Sequence, residues 1–144
     1  MSGDRFVGGL VGRNTGTVSN SYASGTVIGE EKVGGLVGYN WGTVENSFWN
    51  IETSGQNESD GGEGKTTEEM INKETFTDEG WDLEDTWDII EKETYPFLQW
   101  QDEDSYPYAP ELDEDDDDGI PGFTMPLLAL AVVVALVVYY KKRW

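Results

Sequence analysis

Apolar residues in the first 50 positions come singly or in pairs, separated by glycine and asparagine. Val18, Asn20 and Tyr22 follow the two-residue strand period, as do Val44, Asn46 and Phe48, so each triplet is expected on one strand face. After residue 60 the pattern changes. Thr66 and Glu69 fit a capping box, which predicts a short helix near 67–74. Trp81, Leu83, Trp87, Ile89, Ile90, Phe97, Leu98 and Trp100 then supply bulk that the earlier stretch lacks. From Gly119 to Tyr140 run 22 residues without a charge. Residues 120–140 in a helix would cover about 30 Å, one hydrocarbon core, which predicts a single C-terminal transmembrane helix.

The early segments repeat. Val7 to Ala23 laid over Val33 to Trp49, at a spacing of 26, gives 12 identities in 17 positions. Val-Gly-Gly-Leu-Val-Gly recurs whole, and Asn14, Gly16, Thr17, Val18, Asn20 and Ser21 recur as Asn40, Gly42, Thr43, Val44, Asn46 and Ser47. One such unit cannot bury its apolar face alone, so the two are expected to stack, with Val18 beside Val44 and Leu10 beside Leu36. Stacking sets Asn14 over Asn40 and Asn20 over Asn46, where an amide ladder and plain turn chemistry are both open readings. The repeat glycines are expected at bends and bulges needing positive φ. The predicted fold is all-β: a short parallel β-helix (β-solenoid) of two 26-residue coils, a Trp-rich capping tail, a disordered acidic stalk and the C-terminal helix. The boundaries are 1–55 for the repeats (6–29 and 32–55), 56–100 for the tail closing the open end, 101–119 for the stalk and 120–144 for the membrane segment.

Charge narrows the functional classes. The formal net charge is −20, all 29 acids precede Gly119, and only six of the nine bases accompany them. Such a surface excludes sequence-independent nucleic-acid binding, which needs cations to neutralise phosphate. It stays solvated in strong salt, which suits a halophile, and an acidic surface protein from ordinary seawater would look similar. Residues 101–118 hold ten acids and no base, too little apolar area to offset ordering entropy. The chain has no cysteine and no histidine, which removes thiol nucleophiles, Cys/His zinc sites and His-based triads. No cofactor, metal site or enzymatic activity is expected.

The bases Lys141, Lys142 and Arg143 directly follow the apolar run, with Tyr139, Tyr140 and Trp144 as an aromatic belt. The positive-inside rule places that end in the cytoplasm and the N-terminal part outside the cell. An acidic run, Pro121-Gly122-Phe123, an apolar helix and a basic end together resemble the archaeal PGF-type C-terminal sorting signal. That resemblance implies an archaeosortase-type enzyme as partner, removal of the helix and attachment to a lipid anchor. A plain membrane anchor is the alternative. The two early units resemble the GLUG repeat, frequent in large adhesin-like surface proteins of bacteria and archaea. Phe48-Trp49-Asn50, Thr53-Ser54-Gly55, Gly64-Lys65-Thr66-Thr67, Glu69-Met70, Gly80-Trp81-Asp82, Trp87 and Tyr95-Pro96-Phe97-Leu98 resemble the tail that often follows it.

Other candidate sites carry less. Gly64-Lys65-Thr66 lacks the earlier glycine of a phosphate loop, since position 59 is serine. The acids fall on loops and the stalk, without the fixed pair a glycosidase needs. Asp113 to Asp118 lacks the spaced oxygens and turning glycine of a calcium loop. Asn57-Glu58-Ser59 is an N-glycosylation sequon in an expected exposed loop. Trp41 and Trp49 either fill coil corners or stack on sugars. Met1 to Arg5 shows no secretory signal, so the chain is expected to be the C-terminal fragment of a longer protein, the alternative being a small protein whose terminal helix directs its own insertion. The resulting expectation is a non-enzymatic, adhesin-like surface protein at the archaeal envelope, with envelope glycans or surface-layer protein as contacts. The alternatives are a carbohydrate-binding module or the remnant of a β-helix polysaccharide-active enzyme.

Overall fold

The computed structural model describes residues 1–112. These are mostly β-strand with a few short helices, and the strands form small parallel sheets. The first unit contributes β1 (Ser2–Gly8), β2 (Val11–Asn14), β3 (Thr17–Ser19) and β4 (Tyr22–Ala23). The second contributes β5 (Ile28–Gly34), β6 (Val37–Asn40), β7 (Thr43–Glu45) and β8 (Phe48–Asn50). Each strand pairs in parallel with its counterpart, in the register Val7↔Val33, Val11↔Val37, Val18↔Val44 and Tyr22↔Phe48. Every pair is offset by the sequence period of 26, even at Ser2↔Ile28, where the two sequences differ. The Leu10 amide bonds the Leu36 carbonyl at 3.0 Å, as the repeat predicts.

The repeat glycines serve a different purpose from the one expected. Among the described residues, positive φ within the repeats falls on Phe6, Asn20, Lys32 and Asn46, and among the repeat glycines only on Gly55 at the very end of the second unit. A Cβ on Gly8 would strike the carbonyls of Val11 and Leu36, and one on Gly38 would meet the Lys32 carbonyl. Glycine is required there for close approach of neighbouring backbones. Asn20 and Asn46, expected on strand faces, instead turn the left-handed corners before β4 and β8, at φ 45° and 46°. Asn14 and Asn40 combine both open readings. The Asn14 amide donates to Asn40 Oδ1 at 2.9 Å, while their Oδ1 atoms accept from the Gly16 and Gly42 amides.

The second unit is closed by residues 54–65, nearer in sequence than the expected tail. Backbone amides of Val27 and Gly35 donate to Ser54 and Glu58 carbonyls, and the Asp60 amide donates to Val37. Strand β9 (Glu63–Lys65) then pairs with β8. The aromatic tail packs against the flank marked by Tyr22 and Phe48. Its helical part, expected as one helix over 67–74, is two short turns, α2 (Thr67–Met70) and α3 (Lys73–Thr77), after α1 (Ile51–Ser54). The Thr66–Glu69 capping box is present, but Asn72 caps a second start and breaks the run. Phe48, Met70, Ile71, Phe76, Trp81, Leu83, Ile89 and Tyr95 form the tail core. A short antiparallel pair, β10 (Trp87–Asp88) with β11 (Phe97–Leu98), lies beside it, and Trp100 is exposed.

Strand β8 joins the two cores through side-chain alternation. Phe48 enters the tail core, while Trp49 enters the repeat core with Ala23, Leu36 and Val37. Asn50 is fully buried and fully used. Its Oδ1 caps α1, and its Nδ2 donates to Thr67 Oγ1 at 2.8 Å and Tyr95 OH at 2.9 Å.

Packed structure continues past the expected boundary at 100. Tyr106 stacks on Phe97 at 4.0 Å, the Tyr95 amide bonds the Pro107 carbonyl, and the Ala109 amide bonds Glu93. Tyr106, Pro107 and Ala109 provide apolar contact where the local acids alone would favour an extended stalk. Among the described residues no helix is long and apolar enough to cross a membrane. The expected helix at 120–140, Pro121-Gly122-Phe123, Lys141, Lys142, Arg143 and the acid run from Asp113 all lie outside the described residues.

Candidate functional site

The paired strands β1 and β5, with the neighbouring β2 and β6, display an aromatic and cationic groove. Phe6 and Lys32 hold equivalent positions in the two units, and both are left-handed, at φ 55° and 54°. A left-handed residue without glycine costs about 1–3 kcal/mol and persists only where its surroundings hold it. Here the Phe6 and Lys32 carbonyls press against Gly12 and Gly38, where any Cβ would collide. Arg13 pairs with Tyr39 across β2 and β6, and Trp41 follows just after β6.

Three rings make a row: Phe6 to Tyr39 at 5.5 Å and Tyr39 to Trp41 at 5.7 Å between centroids. A cation stands by each ring. Arg5 lies 5.4 Å from the Phe6 centroid, Lys32 5.3 Å from Tyr39, and Arg13 5.3 Å from Trp41. Arg5 also pairs with Glu31 at 2.8 Å, an exposed bridge that adds little stability. Arg5, Phe6, Glu31, Lys32 and Tyr39 line an open groove of about 560 Å³. Trp41 extends it and is 68% exposed. The site offers stacking faces and positive charge, means of holding a ligand.

The candidates singled out from sequence scatter. Asn57 is exposed on the loop after α1. Its sequon partner Ser59 has a structural task, since its Oγ accepts from the Leu36 and Val37 amides at 3.2 and 2.8 Å. Trp49 is buried and donates its indole N–H to the Gln56 carbonyl, so it fills the core, while Trp41 joins the groove. Lys65 pairs with Glu63, and Thr66 caps α2, so Gly64-Lys65-Thr66 is structural. Sequence reasoning passed over Arg5, Phe6, Arg13, Lys32 and Tyr39. Their signal was available in the departures between copies: Arg13 against Tyr39, Thr15 against Trp41, and Phe6 against Lys32.

The family model for the GLUG motif matches residues 7–28. A protein of Evansella cellulosilytica named "Putative Gly-rich membrane protein" is 44% identical over 98 residues, covering 62% of this chain and 11% of that protein. The chain thus spans about a tenth of the length of that relative. No solved structure matches.

Proposed function

We propose that the chain is a non-enzymatic, adhesin-like surface protein whose repeats form a two-coil β-solenoid and whose C-terminus is a processed archaeal-type sorting signal. The observation that carries the reading is the order of parts. A head with a 26-residue parallel register and a closed second unit precedes an acidic run, Pro121-Gly122-Phe123, an uncharged stretch and three bases. Pro121-Gly122-Phe123 would sit at the outer membrane surface, within reach of a membrane-embedded archaeosortase-type enzyme, and lipid attachment would follow. The GLUG match and the membrane-protein relative support a surface or membrane-associated role.

Replacing Pro121, Gly122 and Phe123 together by alanine leaves the length and apolarity of 124–140 intact. In an archaeal host with the processing enzyme, mature wild-type protein should lack Lys141 to Trp144 and carry lipid, while the triple variant keeps its basic end. Mass spectrometry of the C-terminal peptide reads this directly. An intact end on mature wild-type protein rules out sorting and leaves a plain anchor. Carbohydrate binding by exposed aromatics is the second reading, favoured by the Phe6–Tyr39–Trp41 row.

A further inference from the structure

We propose that the groove of Phe6, Tyr39 and Trp41 binds an acidic polysaccharide chain, one bearing a carboxylate on its sugar rings, with Arg13 and Lys32 reading the charge. The inference rests on the carbohydrate-binding reading and names its ligand class. Three observations carry it.

Repeat stacking does not require these residues. Val7 to Ala23 and Val33 to Trp49 differ at only five of 17 positions. Two of those five, 13/39 and 15/41, place Arg13, Tyr39 and Trp41 in the groove. Thr15 stands where the second unit has Trp41, so a small residue satisfies the backbone there. Within the repeats the other indole is buried: Trp49 is 5% exposed against 68% for Trp41, and among the described residues the comparably exposed indole, Trp100 at 78%, stands in the tail away from any cation–ring contact. Leaving an indole in water forfeits burial free energy that a ligand can recover.

Charge is concentrated against the trend of the chain. Three of the six bases before Gly119 lie in the groove of a protein with net charge −20. Arg5 is engaged by Glu31, which leaves Arg13 and Lys32 resting on aromatic faces without a carboxylate in an ion pair among the described residues. Glu31 in the groove is matched by Arg5, and acids beyond about 8–10 Å are largely screened at physiological salt, so Arg13 and Lys32 are the charges the rings present to a bound group.

The ring row suits sugars. The C–H face of a pyranose lies flat on the electron-rich face of an aromatic ring, and a carboxylate at its edge meets a guanidinium or ammonium. Nucleic acid also stacks, but its phosphate density demands far more cationic neutralisation than two free charges supply.

Calorimetric titration of the full chain in detergent micelles tests this, using tetragalacturonate and its fully methyl-esterified form as probes. The ester keeps the rings and removes the charge. Wild-type protein should bind the acid at least about tenfold more tightly than the ester, the worth of one charge-assisted contact. Arg13→Gln and Lys32→Gln should each lower affinity for the acid about tenfold while leaving the ester unchanged. Trp41→Ala should weaken both probes, and Trp100→Ala neither. Equal affinity of wild-type protein for acid and ester overturns the proposal while leaving neutral carbohydrate binding standing. Binding of neither probe overturns both. Binding of oligothymidylate as tight as that of tetragalacturonate in the same titration also overturns it, because the site would then read any polyanion. The acid-to-ester ratio is measured on wild-type protein, so a variant that fails to fold does not rescue the idea.

Discussion

The repeat head and the aromatic tail solve the same stability problem by different means. In the head, small residues bring backbones together, and four parallel strand pairs join unit to unit. In the tail the strands are two residues long, and order comes from buried rings: Phe76 lies 5.0 Å from Trp81 and 5.5 Å from Phe48. Glycine divides in a similar way, between the paired strands and the turns that follow them. Gly8 and Gly38 admit neighbouring backbone, whereas Gly55 and Gly80 supply positive φ with open space around them. A glycine-rich sequence can therefore be rigid where its glycines are contact points. The groove exploits that rigidity, since its rings stand on the paired strands of the head and not on the tail.

The largest expected effect is in the tail. Phe76 has no exposed surface, so Phe76→Ala should cost about 3–5 kcal/mol through lost burial and the cavity left behind. Urea unfolding of the full chain measures the loss. Hydrogen exchange sharpens the comparison: amides of residues 70–98 should lose protection first, while those in the β1–β5 ladder keep theirs. Equal loss in both regions would mean that Phe48 and Asn50 couple them into one cooperative unit, and the contrast would fail.

In the head, adding one methyl should do what removing a ring does in the tail, at a smaller scale. Gly8→Ala forces a Cβ against backbone oxygens of Val11 and Leu36, which cannot swing aside, and should cost about 2–3 kcal/mol. Gly25 has nothing within 4 Å of its added Cβ and no positive φ. Gly25→Ala should therefore be neutral or stabilise by up to about 1 kcal/mol. Comparable losses in the two variants would show that glycine's flexibility, not the space it leaves, shapes the head.

Legibility in the sequence followed the same division. The period of 26 foretold the register of every head pair, because equivalent residues in stacked units must meet. The Thr66–Glu69 cap was legible because its partners are three residues apart. The purpose of the glycines was not, since close approach depends on atoms from another strand. Asn50 was passed over for a similar reason: its partners Thr67 and Tyr95 lie 17 and 45 residues away. The start of the expected stalk was misplaced because charge density hid Tyr106 and Ala109, whose partners lie upstream. The groove was not legible because Arg13, Tyr39 and Trp41 stand where the two copies differ, and repeat stacking assigns such positions no common partner.

Tyr22 tests the seam between the regions, with the smallest effect at neutral pH. It occupies the position of Phe48 in the other unit, which shows that the stack itself accepts a ring without a hydroxyl. Its OH donates to the Pro96 carbonyl at 2.8 Å, and its ring stacks 5.9 Å from that of Tyr95. Burial, with a smaller contribution from Tyr95, pushes its pKa up to about 12. Tyr22→Phe keeps the ring and leaves the Pro96 carbonyl without this donor, so it should cost about 1 kcal/mol near pH 8. The pH dependence gives a second reading. In the unfolded chain the phenol ionises near its ordinary value of about 10, before the folded form does, so the unfolded state binds fewer protons between about 10 and 12. Tyr22 therefore supports the fold fully below about pH 10, and that support drains away as pH rises toward 12. The phenylalanine variant lacks this loss, although the raised pKa of Tyr95 leaves part of the alkaline slope in both proteins. Urea midpoints at steps from pH 8 to 11.5 should start with wild type ahead and converge as alkali is added. Parallel curves would mean that the Tyr22 hydroxyl is as solvated in the folded chain as in the unfolded one, and the tail would not seal the flank of the repeats.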